Sequence, residues 1–437
     1  MKKNYFYGLL VLAIFAVIGC SDSFIQEPTP PLPEQQKEMT HEVTQAEARQ
    51  QLEEILLDMK IPSTRGTMSS VPNITSAHTT GKYTRVTRST ETVEPYFHIF
   101  NFGDNEGFAI MSGDDRVEPL LALTYKGELT PDTEIDNPNF QLAYSKIEEY
   151  YVEQVMRGGG LDPDPGPLTP IDSIADNVTV VEGRPFNVYY DMPLGHCPVT
   201  WGQTMPYNKY CFDNGQYAYT GCVTTAVAQL MAIYKWPSSN THNFSWDSMI
   251  AADPAGCEYE DMTPAMDQIA MLMMQLGLST NLDVQYGSVV DEEDTGSGAD
   301  PDNIPDTLEN FEYTNGGSHV SYDTTQVSAE LKLGYPLLIC GYDDDAGHMW
   351  LGHGLMERKY PFHVYGDDEW AFSPIYTYYE IDTYVLCNMG WNGYCDGYYL
   401  SASFDTNGGP DYQYNSTRSA ISGQYNNYLS VVKGIRK

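Results

Sequence analysis

A cysteine stands at the start of an apolar, helix-forming run near the middle of the chain. Gly221 precedes Cys222, and residues 223–231 are mostly apolar or small. A thiol at a helix N-terminus lies near the positive end of the helix dipole and near unpaired backbone N–H groups, which lower its pKa and favour the thiolate. The position predicts a thiolate nucleophile, although a buried structural cysteine fits the same pattern, since free cysteine is among the most buried residue types.

A histidine more than a hundred residues downstream can complete this chemistry. His348 stands between Gly347 and Met349, and an Asn/Trp segment follows at residues 388–393. The order cysteine, histidine, asparagine is the one expected of papain-like thiol hydrolases. An imidazolium partner stabilises the thiolate and then protonates the leaving amine. His353, also flanked by glycines, is the competing candidate, and His348 is preferred because an apolar pair follows it.

A glutamine amide upstream can stabilise the oxyanion that forms when a thiolate attacks a carbonyl. Gln203 lies in the segment Trp201-Gly202-Gln203, nineteen residues before Cys222. Its side-chain N–H and the backbone N–H of Cys222 would both donate to that oxygen. Loss of one such donor costs on the order of 100- to 1000-fold in rate.

The elements that must position these groups follow from apolar spacing and turn residues. The helix after Gly221 has a broad apolar face and ends at Trp236-Pro237. After Gly341 the pattern changes to short aromatic strands with glycine turns, which suit a β-lobe. Further predicted elements are a helix capped by Thr44, a hairpin of strands 96–102 and 107–112, and helices at about 139–156 and 263–276.

Taken together, these segments resemble the streptopain family of cysteine peptidases. The resemblance is carried by Trp201-Gly202-Gln203, Thr220-Gly221-Cys222-Val223, Gly347-His348 and residues 206–208, 228–229, 236–237, 285–287, 296–299, 388–393 and 396–399. Residues 97–116 are similar to the inhibitory propeptide of such enzymes. The resemblance implies an α+β fold, with a two-lobed papain-like catalytic domain behind a small α+β inhibitory prodomain.

The resemblance also bears on the group that orients the imidazole. Ordinary papain-like enzymes use an asparagine, and Asn388 is available for this role. In the streptopain family the second tryptophan of the motif is implied instead, here Trp391. The sequence departs from the family at Met389, where another tryptophan is common.

The N-terminus is typical of a secreted lipoprotein. Lys2 and Lys3 precede an apolar run over residues 5–18, which is too short to span a membrane and reads as a signal peptide. Its ending Val17-Ile18-Gly19-Cys20 resembles a bacterial lipobox, in which Cys20 becomes the first mature residue and carries the lipid. We expect a lipid-anchored protein of the bacterial cell envelope, on the outer-membrane, periplasmic or surface face, or one released after cleavage.

Composition shifts divide the chain into five segments. Prolines among polar residues predict an unfolded tether before residue 40 and an exposed, cleavable linker after residue 160. The predicted segments are a lipoprotein signal peptide at 1–19, the tether at 20–40, the inhibitory propeptide domain at 41–160, the linker at 161–180 and the peptidase domain at 181–437.

Charge and cysteine content limit the possible partners. The chain has 23 basic and 60 acidic residues, a net charge of -37, which argues against nucleic acid as a partner. No CxxC pair or HExxH segment appears, so neither a metal nor another cofactor is expected. Apart from Cys20 and Cys222, six cysteines are left, and a secreted context permits disulfides such as 197–211 and 387–395, although free buried thiols explain them nearly as well.

The sequence therefore predicts a secreted, lipid-anchored cysteine endopeptidase made as a zymogen. It would hydrolyse proteins or peptides through a thioester acyl-enzyme, with its own propeptide as intramolecular inhibitor and the membrane reached through the lipid alone. Two alternatives stay open: a Cys/His amidase or transpeptidase, and a non-catalytic surface binding module of the same fold.

Overall fold

The N-terminal helix forms where its capping residues predict. Helix α1 (Gln45–Leu57) begins after Thr44, whose side chain accepts a hydrogen bond from Glu47 N while the Glu47 side chain accepts one from Thr44 N. This reciprocal capping satisfies two N–H groups that the helix itself leaves unpaired. The face that α1 buries carries Ala48, Leu52, Ile55 and Leu56.

The structure is a computed structural model. It describes residues 40–59, 62–63, 66–67, 72–86, 92–158, 178–238, 244–287, 296–342, 347–366, 373–405 and 429–437. The predicted signal peptide, Cys20, nearly all of the tether and most of the predicted linker lie outside the described residues. The segment His41–Lys437 forms one unit.

The predicted propeptide is a small sheet packed against two helices. After α1 come the strands β1 (Pro62–Ser63), β2 (Gly66–Thr67), β3 (Ile74–Thr80), β4 (Phe97–Phe102), β5 (Phe108–Ser112) and β6 (Leu120–Thr124), and then helix α2 (Pro138–Met156). Every residue of β4, β5 and β6 is buried. Aromatic side chains join the sheet to α2, with Phe97 against Tyr151 and Phe108 against Phe140. The predicted helices and hairpin of this part are confirmed.

The C-terminal part combines a group of helices with long strands. Its helices are α3 (Cys222–Tyr234), α4 (Trp246–Ala251), α5 (Pro264–Gly277), α6 (Ile304–Asn310) and α7 (Thr324–Lys332). Its strands are β7 (Val178–Glu182), β8 (Phe186–Tyr189), β9 (Phe212–Asp213), β10 (Gln216–Tyr217), β11 (Ser318–Ser321), β12 (Leu337–Tyr342), β13 (Gly347–Gly366), β14 (Tyr376–Asn388), β15 (Gly397–Leu400) and β16 (Ser430–Lys433). The predicted α+β class is confirmed.

One sheet of twelve strands runs through both parts of the chain. Its order is β11-β16-β12-β13-β14-β15-β6-β5-β4-β3, and β7 and β8 also pair with β13. The two parts meet where β15 pairs antiparallel with β6, with Gly397 opposite Thr124 and Tyr399 opposite Ala122. The propeptide is thus joined to the C-terminal part by backbone hydrogen bonds as well as by side chains.

The central strands separate two hydrophobic cores. Along β12, Leu337 and Ile339 belong to a core shared with the propeptide, whereas Leu338 and Cys340 belong to the core around α3 and α5. This alternation is the period of two that a strand imposes. A two-lobed arrangement results, with the helical lobe on one face of the sheet.

Three expectations need correction or comment. Two of the strands after Gly341 are long, since β13 has 20 residues and β14 has 13. Gly352 and Gly354 lie within β13 rather than in turns, whereas Gly390 and Gly393 do lie in the turn after β14. All seven cysteines of the described chain are free thiols, so the 197–211 and 387–395 disulfides are wrong for this structure. β7 already pairs with β13 from Val178, three residues before the predicted domain boundary.

None of the described helices is both long and apolar enough to cross a membrane.

The junction between β6 and β15 generates the first prediction. A Cβ on Gly397 would lie 2.1 Å from the carbonyl oxygen of Leu123, so Gly397→Ala must push the two strands apart. We expect a loss of about 1–3 kcal/mol in the stability of the precursor, measured by denaturant unfolding, and a smaller loss once the propeptide has been removed.

Gly296→Ala is the matched control, because a Cβ there meets nothing within 4 Å. An equal loss in precursor and processed protein for Gly397→Ala would contradict the prediction, since it would place the strain within the C-terminal part alone.

Candidate active site

Cys222 is the first residue of α3, and the turn before it accepts only glycine comfortably. Gly221 has φ of 87°, a left-handed value that side chains rarely adopt. A Cβ there would also lie 2.8 Å from the backbone oxygen of Ser297. The loop that contains Ser297 therefore packs directly on the turn that presents the cysteine.

Cys222 lines a cavity of about 200 Å³. The cavity is lined by Cys222, Val223, Gly298, Ala299, Pro301, Cys340, Tyr342, Gly347, His348 and Met349. The sulfur lies 3.7 Å from the carbonyl oxygen of Gly347, to which the thiol donates. The Cys222 sulfur therefore contacts the backbone next to His348.

Burial shifts the pKa of Cys222 in the direction opposite to the one expected from its position at a helix N-terminus. It raises the pKa of the Cys222 thiol, and hydrogen bonds from backbone N–H groups, that of Met349 first among them, lower the pKa only in part. The expectation of a thiolate favoured by the helix N-terminus is therefore not met in this structure. Withdrawal from water outweighs the helix end, because a thiolate loses more hydration than a thiol.

His348 lies on β13 opposite Gly341 and lines the same cavity as Cys222. The structure therefore brings together the two groups that the sequence singled out. The competitor His353 has a structural role: its Nδ1 accepts a hydrogen bond from Cys197 N at 3.1 Å. Burial, with a smaller effect from His196, lowers the pKa of His353 to about 3, which keeps the ring neutral.

Gln203 has the properties of an oxyanion donor. Its backbone carbonyl oxygen accepts a hydrogen bond from Thr220 N at 3.0 Å, which fixes its backbone to the loop that leads into Cys222. The residue is 6% exposed, and its Nε2 has no hydrogen-bond partner among the described residues. Buried amide donors are nearly always satisfied, so this unused one is available to a ligand. Gln203 is not among the residues that line the cavity of Cys222 and His348.

The predicted imidazole-orienting residues lie in the turn after β14. Asn388 donates from Nδ2 to Val199 O at 2.9 Å and accepts from Gly390 N at 3.0 Å. In this state its amide therefore holds the turn to the neighbouring segment. Trp391 is half-buried, and its carbonyl accepts from Tyr394 N at 3.0 Å. Their roles toward His348 stay predictions for the processed protein.

One asparagine of the propeptide contacts the site in a way that the sequence did not indicate. Asn139, fully buried at the start of α2, donates from Nδ2 to Met349 O and to Met389 O, at 2.8 Å each. These two carbonyls belong to the residues directly after His348 and Asn388. The Asn139 amide thus bridges the strand of the histidine and the turn of the Asn/Trp segment. Nothing in the spacing of Asn139 signals this contact, which exists only through the tertiary fold.

Further contacts fasten the same turn to the propeptide. Asn137, the N-cap of α2, donates to Tyr394 O at 3.0 Å, and Lys126 donates to Asn392 O at 2.9 Å. Asp396 accepts from Met389 N at 2.7 Å. Burial raises the pKa of Asp396 to about 7. The propeptide therefore controls the position of the segment that carries Trp391.

Side chains of metal-ligating type gather in the propeptide, where His41, Asp114 and Asp115 lie within reach of one another. Arg116 already binds the Asp114 carboxylate, with Nε at 2.8 Å and Nη2 at 2.6 Å. This ion pair compensates the charge that would attract a cation, and we assign no metal there.

Two family models match the chain. Residues 201–399 match the Peptidase C10 family, and residues 40–151 match the Spi protease inhibitor. The first range contains Gln203, Cys222, His348, Asn388 and Trp391, and the second contains Asn137 and Asn139.

Individual proteins show the same likeness. The chain is 28% identical over 197 residues to the thiol protease/hemagglutinin PrtT of Porphyromonas gingivalis, a match that covers 44% of this chain and spans only 20% of PrtT. It is 24% identical over 385 residues to streptopain of Streptococcus pyogenes serotype M1, covering 78% of this chain and 80% of streptopain.

Among solved structures, a prointerpain A fragment of Prevotella intermedia matches at 22% identity with a TM-score of 0.48, covering 83% of this chain and 99% of that one. From the two family models and the relatives, the chain carries a Peptidase C10 domain, of the streptopain family, after a Spi-type inhibitory propeptide domain, and is a cysteine endopeptidase made as a zymogen.

Proposed function

We propose that Cys222 is the nucleophile and His348 the general acid and base of this peptidase. The observation that supports it best is the shared cavity: the thiol at the start of α3 and the imidazole on β13 line one space. Gln203 adds a buried amide donor with no partner in the described chain. Thiolate, imidazolium and oxyanion donor are the three parts that acyl transfer by cysteine requires.

The proposed reaction proceeds through a thioester. The Cys222 thiolate attacks the peptide carbonyl, and the oxyanion receives hydrogen bonds from Gln203 Nε2 and Cys222 N. His348 protonates the leaving amine, which departs and leaves the acyl group on the sulfur. A water molecule, deprotonated by His348, then hydrolyses the thioester and regenerates the thiol.

The inhibitor domain holds this machinery in an inactive form. Asn139 ties the backbone beside His348 to the turn that carries Trp391, and the Cys222 thiol donates to Gly347 O. Release of the propeptide removes the Asn139 donor and frees the two segments that it joins. We propose that cleavage within the predicted linker at 161–180 accompanies this release.

The location of the enzyme is proposed from the N-terminal segment alone. The signal-like run and Cys20 support a lipid-anchored, secreted protein of the bacterial cell envelope. The net charge of -37 supports protein or peptide substrates rather than nucleic acid.

Replacement of the nucleophile gives the first test. Residues 21–437, wild type beside Cys222→Ala, are incubated with a reducing agent and followed by mass analysis and a casein assay. We expect the wild type to lose its N-terminal segment and to cleave casein in a thiol-dependent manner, and we expect the variant to do neither.

Processing by the Cys222→Ala protein would contradict the assignment of the nucleophile. If neither protein is processed, an external protease is added, and wild type that still cleaves nothing after removal of the propeptide would favour the amidase or binding-module alternatives.

Gln203→Ala tests the oxyanion donor. The side-chain N–H interacts with a charge that is present only in the transition state, so kcat should fall on the order of 100- to 1000-fold with little change in KM. Gln285→Ala is the control, because Gln285 is an exposed glutamine beside the cavity loop. An unchanged kcat in a folded Gln203→Ala protein would remove Gln203 from the mechanism.

Asn139→Ala tests the inhibitory contact. Its loss leaves two buried carbonyl oxygens without a donor, at a cost of about 1–3 kcal/mol, so alkylation of Cys222 in the precursor should become roughly tenfold faster or more. Because the pKa of Cys222 is raised in the precursor, alkylation of the wild-type precursor should need a higher pH than alkylation of the processed enzyme.

The rate is measured with iodoacetamide at several pH values, counting only molecules that keep the precursor mass. Gln141→Ala on the exposed face of the same helix is the control. Equal alkylation rates in Asn139→Ala and wild type would show that Asn139 does not restrain the site.

A further inference from the structure

A second thiol lines the cavity of Cys222. Cys340 on β12 is 1% exposed and stands opposite Met349 on β13. Met349 N is one of the donors to the Cys222 sulfur, and opposite residues of an antiparallel pair have Cα atoms about 5 Å apart. Cys340 is thus one strand removed from the backbone that Cys222 touches, and it belongs to the same core as α3.

Cys340 has its own histidine. Its Sγ lies 3.4 Å from His319 Nε2 and 2.9 Å from Ser430 Oγ. His319 Nδ1 lies 2.7 Å from Asp302 Oδ1. A carboxylate only accepts, so Nδ1 carries the proton and Nε2 is an acceptor. Ser430 Oγ lies 2.7 Å from this Nε2, and the Cys340 thiol is the second group beside it. The Cys222 chemistry does not use this Cys–His–Asp arrangement.

We propose that Cys340 is a resolving thiol, which captures oxidised Cys222 as a reversible Cys222–Cys340 disulfide and so makes the peptidase dependent on reducing conditions. The proposal rests on the proposed role of Cys222 as the reactive thiolate. The oxidant it invokes is a hydroperoxide, and the reductant is a low-molecular-weight thiol or a dithiol.

The chemistry balances in two steps. The Cys222 thiolate attacks one oxygen of the hydroperoxide, and the O–O bond breaks. The sulfur becomes a sulfenic acid, and the alkoxide or hydroxide takes up the proton that the Cys222 thiol had given up and leaves as alcohol or water. The Cys340 thiol gives its proton to His319 Nε2, and its sulfur attacks the Cys222 sulfur. Hydroxide leaves and takes up that proton as water. Two electrons have passed from the two sulfurs to the peroxide, and thiol exchange returns them.

Burial suits Cys340 to this secondary role. It raises the pKa of the Cys340 thiol to about 12, so this thiol stays protonated and does not compete with Cys222 for substrate or oxidant. It becomes a nucleophile only when a sulfenic acid forms beside it and His319 accepts its proton. The disulfide requires the two sulfur atoms to approach to about 2.05 Å across the cavity, which closes the site to substrate.

The other cysteines of the described chain do not line this cavity. They are Cys197, Cys211, Cys257, Cys387 and Cys395. Of these five, Cys257 is the one that is not buried. It is the matched control, because it tests whether any accessible cysteine, rather than Cys340 in particular, forms the disulfide.

The experiment treats the precursor and the self-processed enzyme with a small excess of hydrogen peroxide, for wild type, Cys340→Ser and Cys257→Ser. Intact mass and peptide mapping follow the thiols, dimedone traps any sulfenic acid, and casein cleavage is measured before oxidation and after dithiothreitol. Each variant is compared with its own reduced activity.

We expect wild type and Cys257→Ser to lose two hydrogen atoms, to give a linked peptide pair containing residues 222 and 340, and to recover most of their activity. Cys340→Ser should instead be trapped by dimedone at Cys222 and, after longer oxidation, recover on the order of tenfold less activity, because sulfinic acid is not reduced by thiols.

A wild-type protein that is labelled by dimedone and gives no 222–340 peptide pair overturns the proposal. So does equal recovery in wild type and Cys340→Ser. Peptide mapping of wild type decides the matter even if Cys340→Ser fails to fold. Absence of thiol-dependent cleavage in reduced wild type would instead count against the proposed function, because the mass measurement does not depend on activity.

Discussion

One side-chain amide of the propeptide joins the two segments that carry the predicted site residues. Asn139 Nδ2 donates to Met349 O and to Met389 O, and so holds the backbone after His348 and the backbone after Asn388 at a fixed separation. Backbone carbonyls are obligatory acceptors, and a buried one that loses its donor costs free energy. The propeptide supplies that donor, and the pairing of β6 with β15 holds the propeptide in place. These contacts act on the backbone that frames the cavity, whose lining residues all belong to the C-terminal part.

Burial of Cys222 decides the direction in which the pKa of its thiol is shifted. A helix N-terminus lowers the pKa of a thiol, whereas removal from water raises it, and in this structure the second effect is larger. A thiolate at Cys222, which the proposed mechanism needs, is therefore disfavoured by the surroundings that this structure gives the sulfur.

The position of the cavity explains why several polar groups meet in it. It lies where α3 meets the central strands β12 and β13, at the rim of the core around α3. Strand alternation turns Cys340 and Met349 toward that core and Ile339 and Trp350 toward the core shared with the propeptide. The two thiols are neighbours because α3 packs on this face, although they are far apart in sequence.

The sequence by itself determined the features that depend only on short segments of the chain. Thr44 and Glu47 determined where α1 begins, the apolar run after Gly221 determined α3, and the segments around Cys222 and His348 identified the family, since caps, periodicity and motifs are properties of short segments. Tertiary structure decided the rest. The length of β13, the structural use of His353, the raised pKa of Cys222 and the contacts of Asn139 and Cys340 depend on what packs against each residue, and burial and hydrogen-bond partners come from segments distant in sequence.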